Sequence, residues 1–432
     1  MSGIAGISLG RAHALATFIA QELRRIGAPI EQLTPLGGLR RYAPSVEHLS
    51  LLAVAGPDAH DEVFNALAGM GGRPTVLNRS RSRIALVTER GPVEVHLATS
   101  DSAGSALAWY TGSPGHVSGL QARSRAYGLA FDNGRLRRAG QRMRCATEEE
   151  LYDYLGLSYV PPELREGTDE LELAERDALP ALVTPQHIKG DLHTHTSWSD
   201  GRDNVEQMVQ AAHGLGYEYL AITDHSERSA AQRTLRPADI AQQRAEIDAA
   251  REHAPGVDIL HGVEVEIMPD GHLDFPDEVL AQFDIVLASL HDSAGHDGPR
   301  LLDRYLRAID HPFVNVITHP ANRTPGGHPG YDLDFDRLFE AAARSGTAVE
   351  VDGSPNHLDL DGALARRATA SGAMLTIDSD AHRHDALGRQ LQFGVGTARR
   401  GWVQPEQVLN TRGASAVRSF VAAKRPAGGP RP

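Results

Sequence analysis

Apolar and polar positions follow two different rhythms along this chain, and the change falls near residue 187. Before it, Leu15, Phe18, Ile19, Leu23 and Ile26 recur at helical spacing and predict a helix over 11–26, stopped by Gly27. Short apolar runs predict strands over 49–55, 83–88 and 93–98, the last two joined by a Gly91-Pro92 turn. Helices are expected over 61–70 and 119–127, and glycine turns at 36–41 and 109–113. Together these describe a small α+β unit of about 145 residues. Thr147 with Glu150 three residues on predicts a capped helix over 147–155. Val160-Pro161-Pro162 breaks it, and the acidic stretch 163–178 reads as a connector between domains.

After residue 187, strand-like runs at 189–192, 219–223, 258–265, 285–289, 314–318, 348–351 and 375–377 alternate with amphipathic stretches. Those stretches predict helices over 205–215, 236–253, 300–309, 335–345 and 362–371. Strands alternating with helices imply a parallel sheet. Seven of them over about 235 residues imply a closed or nearly closed (β/α) barrel, whose chemistry belongs at the C-terminal strand ends. The expected organisation is a first domain over 1–146, the end of that domain and a linker over 147–186, a barrel over 187–424 and a disordered tail over 425–432.

Composition adds three constraints. At 432 residues with 41% hydrophobic and 23% charged positions, two or three globular domains are expected. No run of about 18 apolar residues suits a membrane span, and the first residues lack a secretory pattern. A single cysteine, Cys145, excludes an internal disulfide and fits a reducing, cytoplasmic setting. Charge is uneven: residues 1–146 hold 17 Arg against 10 Asp and Glu, a net of +7, and the remainder carries −20. A basic front half can attract a polyanion such as DNA, or be an ordinary solvated surface. Histidine is skewed the other way, with 16 of 21 from His187 onward.

Those histidines fall at strand ends. In Gly190-Asp191-Leu192-His193-Thr194-His195, residues two apart share a side, so His193 and His195 are presented together, with Asp200 on the following loop. Further strands end in Thr223-Asp224-His225, Gly262-Val263-Glu264, Ser289-Leu290-His291, Thr318-His319-Pro320 and Ser379-Asp380-Ala381-His382. One such residue is commonly structural. Six strand ends in register are hard to assign to packing, because unpaired polar groups there carry a desolvation cost. Imidazoles with carboxylates suit Mn²⁺, Zn²⁺ or Fe²⁺.

These segments together resemble the PHP (polymerase and histidinol phosphatase) metallophosphoesterase family. The resemblance implies three divalent metal ions: one held by His193, His195, Glu264 and Asp380, a second by Glu264, His291 and His319, and a third by Asp200, His225 and His382. His193, Glu264 and Asp380 would stand at the catalytic centre. Clustered dications bring the pKa of bound water toward neutrality and offset phosphate charge, so phosphate esters can be hydrolysed without a protein nucleophile. Asp224, Asp378 and Glu266 are candidates for orienting the imidazoles. Arg202, Arg323 and Arg399 could hold phosphate.

Phe393-Gly394-Val395-Gly396-Thr397-Ala398-Arg399-Arg400 and Val408-Leu409-Asn410-Thr411-Arg412 resemble the PHP domain of bacterial family X DNA polymerases. Upstream, Gly37-Gly38-Leu39-Arg40-Arg41 and Tyr110-Thr111-Gly112-Ser113 resemble turns of that family's palm, which makes the first domain a degenerate palm and thumb, nucleotidyltransferase-like. The family's Asp-x-Asp strand is replaced: His48 and Ser50 stand where aspartates bind Mg²⁺, with Glu94 at the third position. The lyase-like and helix-hairpin-helix regions of the family are not expected in this chain. Polymerase activity is therefore expected to be lost. Arg40, Arg41, Arg79, Arg81 and Arg83 would be the DNA contacts. The leading expectation is a metal-dependent phosphoesterase trimming or cleaning DNA 3′ ends, with small phosphomonoesters as alternative substrates. A non-catalytic DNA-binding scaffold is the other class.

Overall fold

The computed structural model describes residues 6–425. All of the expected tail except Arg425 lies outside them. The chain divides into two compact units, Met1–Pro180 and Ala181–Pro432.

The first unit is built on a five-stranded sheet in the order Gln32–Pro35, Leu49–Val54, Gly91–Ala98, Arg83–Thr88, Thr75–Arg79. Only the pairing of Leu49–Val54 with Gly91–Ala98 is parallel. Two expected turns are helical. Gly37–Arg40 forms one short helical turn, and Trp109, Tyr110 and Thr111 end the helix Ala103–Thr111. That helix buries seven of its nine residues, so it has no polar face from which a period could be read. Ser113 caps the next helix, Pro114–Ala126, accepting from the amide of His116. The acidic stretch 163–178, expected to be helical or partly loose, is helical over Glu170–Glu175, and its charges have partners inside the unit. Arg165 is fully buried against Glu148 and the carbonyl of Val160, and Glu170 accepts from the amides of Gly167 and Thr168 and pairs with His116. Cys145 is buried, and burial pushes its thiol up to about 12, an inert thiol.

In the second unit, seven parallel strands follow one another in chain order: Gly190–Asp191, Tyr219–Ile222, Asp258–Glu266, Ile285–Ser289, Val316–Ile317, Ala348–Asp352 and Leu375–Asp378. Alternation along each strand separates two cores. Leu220, Ile222, Val263, Val265, Val286, Val349 and Val351 face the surrounding helices. Tyr219, Ala221, Leu260, Ile285, Leu287 and Ala348 form an inner cluster, plugged by Leu409, Val417 and Val421 near the helix Ala414–Ala423. Followed toward the C-terminal strand ends, the inner positions turn polar: Leu260 gives way to Gly262 and Glu264, and Ala348 to Glu350 and Asp352. The barrel is tight here, since a Cβ on Gly262 would stand 2.7 Å from Thr223 and 2.8 Å from Ile285. The helix Leu387–Arg400 was not anticipated as such. Its Gly394 lets it approach Ile377 and Gly353, which accounts for the glycines of that motif.

The first and last strands make no continuous ladder, and side chains close the seam. At the rim, the amide of His195 donates to the carbonyl of Ala381 at 2.9 Å, and Asp378 Oδ1 accepts from the amide of Leu192 at 2.8 Å. Deeper, the fully buried Asn410 donates to the carbonyl of Gly190 and to Asp378 Oδ1, and accepts from the amide of Ile377. Asn410→Ala leaves these groups buried and unpaired. We predict a loss of about 3 kcal/mol, read as a melting temperature several degrees lower in a calorimetric scan.

Candidate metal centre

The two histidines after the first strand are completely buried, with their Nε2 atoms 3.0 Å apart. His193 donates from Nδ1 to Glu350 Oε1 at 2.7 Å, which fixes its tautomer and leaves Nε2 facing the centre. Gly201 lets the next loop lie against His195, since a Cβ there would come within 2.7 Å of the His195 carbonyl. Asp224 ties the same loop down, accepting from the amides and hydroxyls of both Thr196 and Ser199. The loop thereby brings Asp200 to 3.2 Å from His382 Nε2 and 3.6 Å from His225 Nε2.

Glu264 is the hub. It is fully buried, and its oxygens lie 2.8 Å from His225, 3.1 Å from His319, 3.4 Å from His193, and 3.5 Å from both His195 and His291. Asp380 lies 3.1 Å from His195 and 3.6 Å from His193 and His382. Asp380 and His319 hold φ at +49° and +25°, backbone strain of the kind that persists where surroundings impose it. All nine expected donors therefore meet at one rim. Their donor atoms form overlapping sets within 4.8 Å: His195, Asp200, His225 and His382; His193, His195 and Asp380; His193, Glu264 and His319; His225, Glu264 and His291. Each set could hold a cation. Glu264 Oε2, Asp200 Oδ1 and His225 Nδ1, all within these sets, are buried without a hydrogen-bond partner, and a cation would satisfy them. Burial and the neighbouring His382 and His225 rings pull His195 down to about 3, so it is neutral and can ligate. Burial opposes the charge on Asp200, but the imidazoles of His382, His225 and His195 beside it bring it to about 2. A cavity of about 450 Å³ opens on Asp200, His225, His291, His319, Asp380 and His382.

Other expected residues serve differently. Glu266 does orient an imidazole, accepting from His291 Nδ1 at 2.7 Å. Asp224 clamps a loop and Asp378 the barrel seam; neither touches an imidazole, because each is surrounded by closer amides and hydroxyls. Arg399 donates to the carbonyl of Val183, and Arg323 pairs with Asp361 at 2.8 Å, so neither guanidinium is poised for phosphate. Arg202 is exposed, its amide bonded to the His382 carbonyl. In the first unit, Arg40 grips Glu148 through both nitrogens and Arg41 pairs with Glu166, internal bonds that take them from the role of DNA contacts. Arg79 pairs with Asp61, Arg83 lies 3.5 Å from Glu94, and Arg81 is exposed. Glu350, Asp352 and His357 were missed, although acids alternating with valine in Val349-Glu350-Val351-Asp352 mark an inner strand face with chemistry on it.

Where a degenerate palm was expected, a cavity of about 580 Å³ is lined by His48, Ser50, Arg83, Glu94, His96 and Tyr110, among others. Glu94 is its sole carboxylate. It pairs with His96 at 2.7 Å, and that bond lowers its pKa.

Residues 191–350 match the PHP domain, and residues 106–166 match the DNA polymerase beta thumb. The chain is 32% identical over 418 residues to the DNA polymerase/3'-5' exonuclease PolX of Bacillus subtilis, a match spanning 96% of this chain and 72% of that protein. A probable phosphatase of Thermoanaerobacter sp. is 29% identical over 232 residues, 51% of this chain and 89% of that protein. Another, of Acetivibrio thermocellus, is 31% identical over 213 residues, 46% of this chain and 81% of that protein. With a PHP barrel, a polymerase beta thumb and this similarity over nearly its whole length, the chain belongs to the bacterial family X DNA polymerases that carry a PHP domain.

Proposed function

We propose that this hydrolase of phosphate esters acts on the 3′ ends of DNA, releasing nucleotides in the 3′-5′ direction, and that its first unit no longer polymerises. One observation carries the reading: nine donor side chains, Glu264 among them, crowd the mouth of one barrel, in a chain similar to a polymerase/exonuclease along 96% of its length. Three Mn²⁺, Zn²⁺ or Fe²⁺ ions would be held there, and when bound they supply Lewis acidity that acidifies water and neutralises phosphate oxygens.

The chain's own residues arrange the rest. Glu350 and Glu266 accept hydrogen bonds from Nδ1 of His193 and His291, and His382 Nδ1 donates to the carbonyl of Asp380. Each ring then turns a basic Nε2 toward the centre. Glu264, with an oxygen toward His193 and His225 and another toward His291 and His319, could help hold more than one cation. In the first unit, Ser50 offers no charge and Glu94 is engaged by His96, which leaves Mg²⁺ without the hard oxygen ligands it requires. DNA would be met by the basic stretch 1–146 of the first unit, through exposed arginines such as Arg81.

Small phosphomonoesters form a second reading. It is favoured by the internal engagement of Arg40, Arg41, Arg323 and Arg399, and by the relatives that match the barrel alone and are named probable phosphatases.

A panel of labelled single-stranded DNA and a chromogenic phosphomonoester, assayed with Mn²⁺, ranks the two. We expect mononucleotide release from DNA, falling to background in His193→Ala; turnover of the monoester alone would favour the second reading. Template-directed dNTP incorporation is expected to be absent, and its detection would restore the palm to function. Glu350→Gln keeps the barrel intact but loosens His193, and should lower metal affinity about 10–100-fold in a metal titration.

A further inference from the structure

Glu350 and Asp352 share the inner face of the sixth barrel strand, and their charges are met differently. Glu350 accepts from His193 Nδ1 with one oxygen and from the amide of His319 with the other. Asp352 is fully buried; its Oδ1 accepts from the amide of Ser354 at 2.6 Å, and its Oδ2 has no partner. His357 stacks on His319 with ring centroids 4.9 Å apart, and its Nδ1 is also buried without a partner. Donor atoms of Asp352, His357 and Asp380 lie within 4.8 Å of one another. A carboxylate confined in a dry barrel mouth beside two others is unfavourable unless a cation or a proton offsets it.

Building on the reading of this rim as a cation-dependent hydrolase, we infer that Asp352, His357 and the shared Asp380 form an additional divalent-cation position, outside the nine-residue set. One imidazole and two carboxylates suit Mn²⁺, Fe²⁺ or Zn²⁺. The position lies on the cavity wall that Ser354 and Asn356 continue. A cation there would add positive charge for an incoming phosphate in a cavity whose lining holds one arginine, Arg383. It also accounts for two orphaned donors that the nine-residue set leaves unexplained.

The test is metal content. The full chain, its Asp352→Asn and His357→Ala variants, their double variant and His193→Ala are saturated with Mn²⁺, freed of excess ion and analysed by mass spectrometry. Circular dichroism and melting temperature confirm folding. Asp352→Asn retains a carbonyl for the Ser354 amide, so it is expected to fold. Each single variant at this position should hold one equivalent fewer than the parent, and the double variant no fewer than either. Full metal content in Asp352→Asn and His357→Ala, with less in His193→Ala, overturns this position alone and points to a protonated Asp352. Full content in His193→Ala as well overturns the cluster reading along with it.

Discussion

Glu264 is a carboxylate withdrawn from water, with imidazole nitrogens of five histidines between 2.8 and 3.5 Å from its oxygens. A buried charge without compensation is strongly unfavourable. Imidazoles compensate it only when protonated: burial opposes this for every ring, yet the nearby carboxylates raise His193, His225 and His319 above the ordinary range, while His195 is pulled down to about 3. Crowding several protonated rings together would replace one penalty with another, since like charges repel at these separations. Divalent cations resolve both difficulties, because they pair with the carboxylates and take the lone pairs of neutral rings. The orphaned atoms of Glu264, Asp200 and His225 and the strained backbone at His319 and Asp380 are further consequences of the same constraint.

The barrel makes such a cluster tolerable by grading its interior. Each strand starts among Tyr219, Leu260, Ile285 and Ala348, sealed by Val417 and Val421, and ends among polar inner positions. Cohesion comes from the apolar end and the outer core, which leaves the polar end available for chemistry. The seam between the first and last strands is the weak point of this design. It coincides with the elements that carry His193, His195 and Asp380, so Asn410 and Asp378 maintain the fold and the spacing of the donors together.

The strands and their terminal donors were legible because two signals coincided: apolar runs of strand length, and histidine or acid at the residue where each run ends. Glu350 and Asp352 were hidden because they lie within such a run, on the inner face of a strand whose valines already accounted for it. The fate of the arginines could not be read locally. Arg40 meets Glu148, 108 residues away, and only folding makes them neighbours. The helix Ala103–Thr111 was obscured by its uniform burial, and the stretch 163–178 by acids that look solvated until Arg165 and His116 are placed beside them. A count of basic residues overstated the first unit's freedom to bind phosphate for the same reason.

The two units offer different donor sets. In the first, His48 and Ser50 line a cavity whose one carboxylate, Glu94, pairs with His96. In the second, every expected donor is in place and inward acids add to them. Anomalous diffraction from crystals grown with Mn²⁺ tests the central claim most directly. Peaks about 2.0–2.2 Å from the oxygens of Glu264 and from His193 Nε2 are predicted. Featureless anomalous density at the barrel mouth, with Glu264 still ringed by histidines alone, would contradict the account.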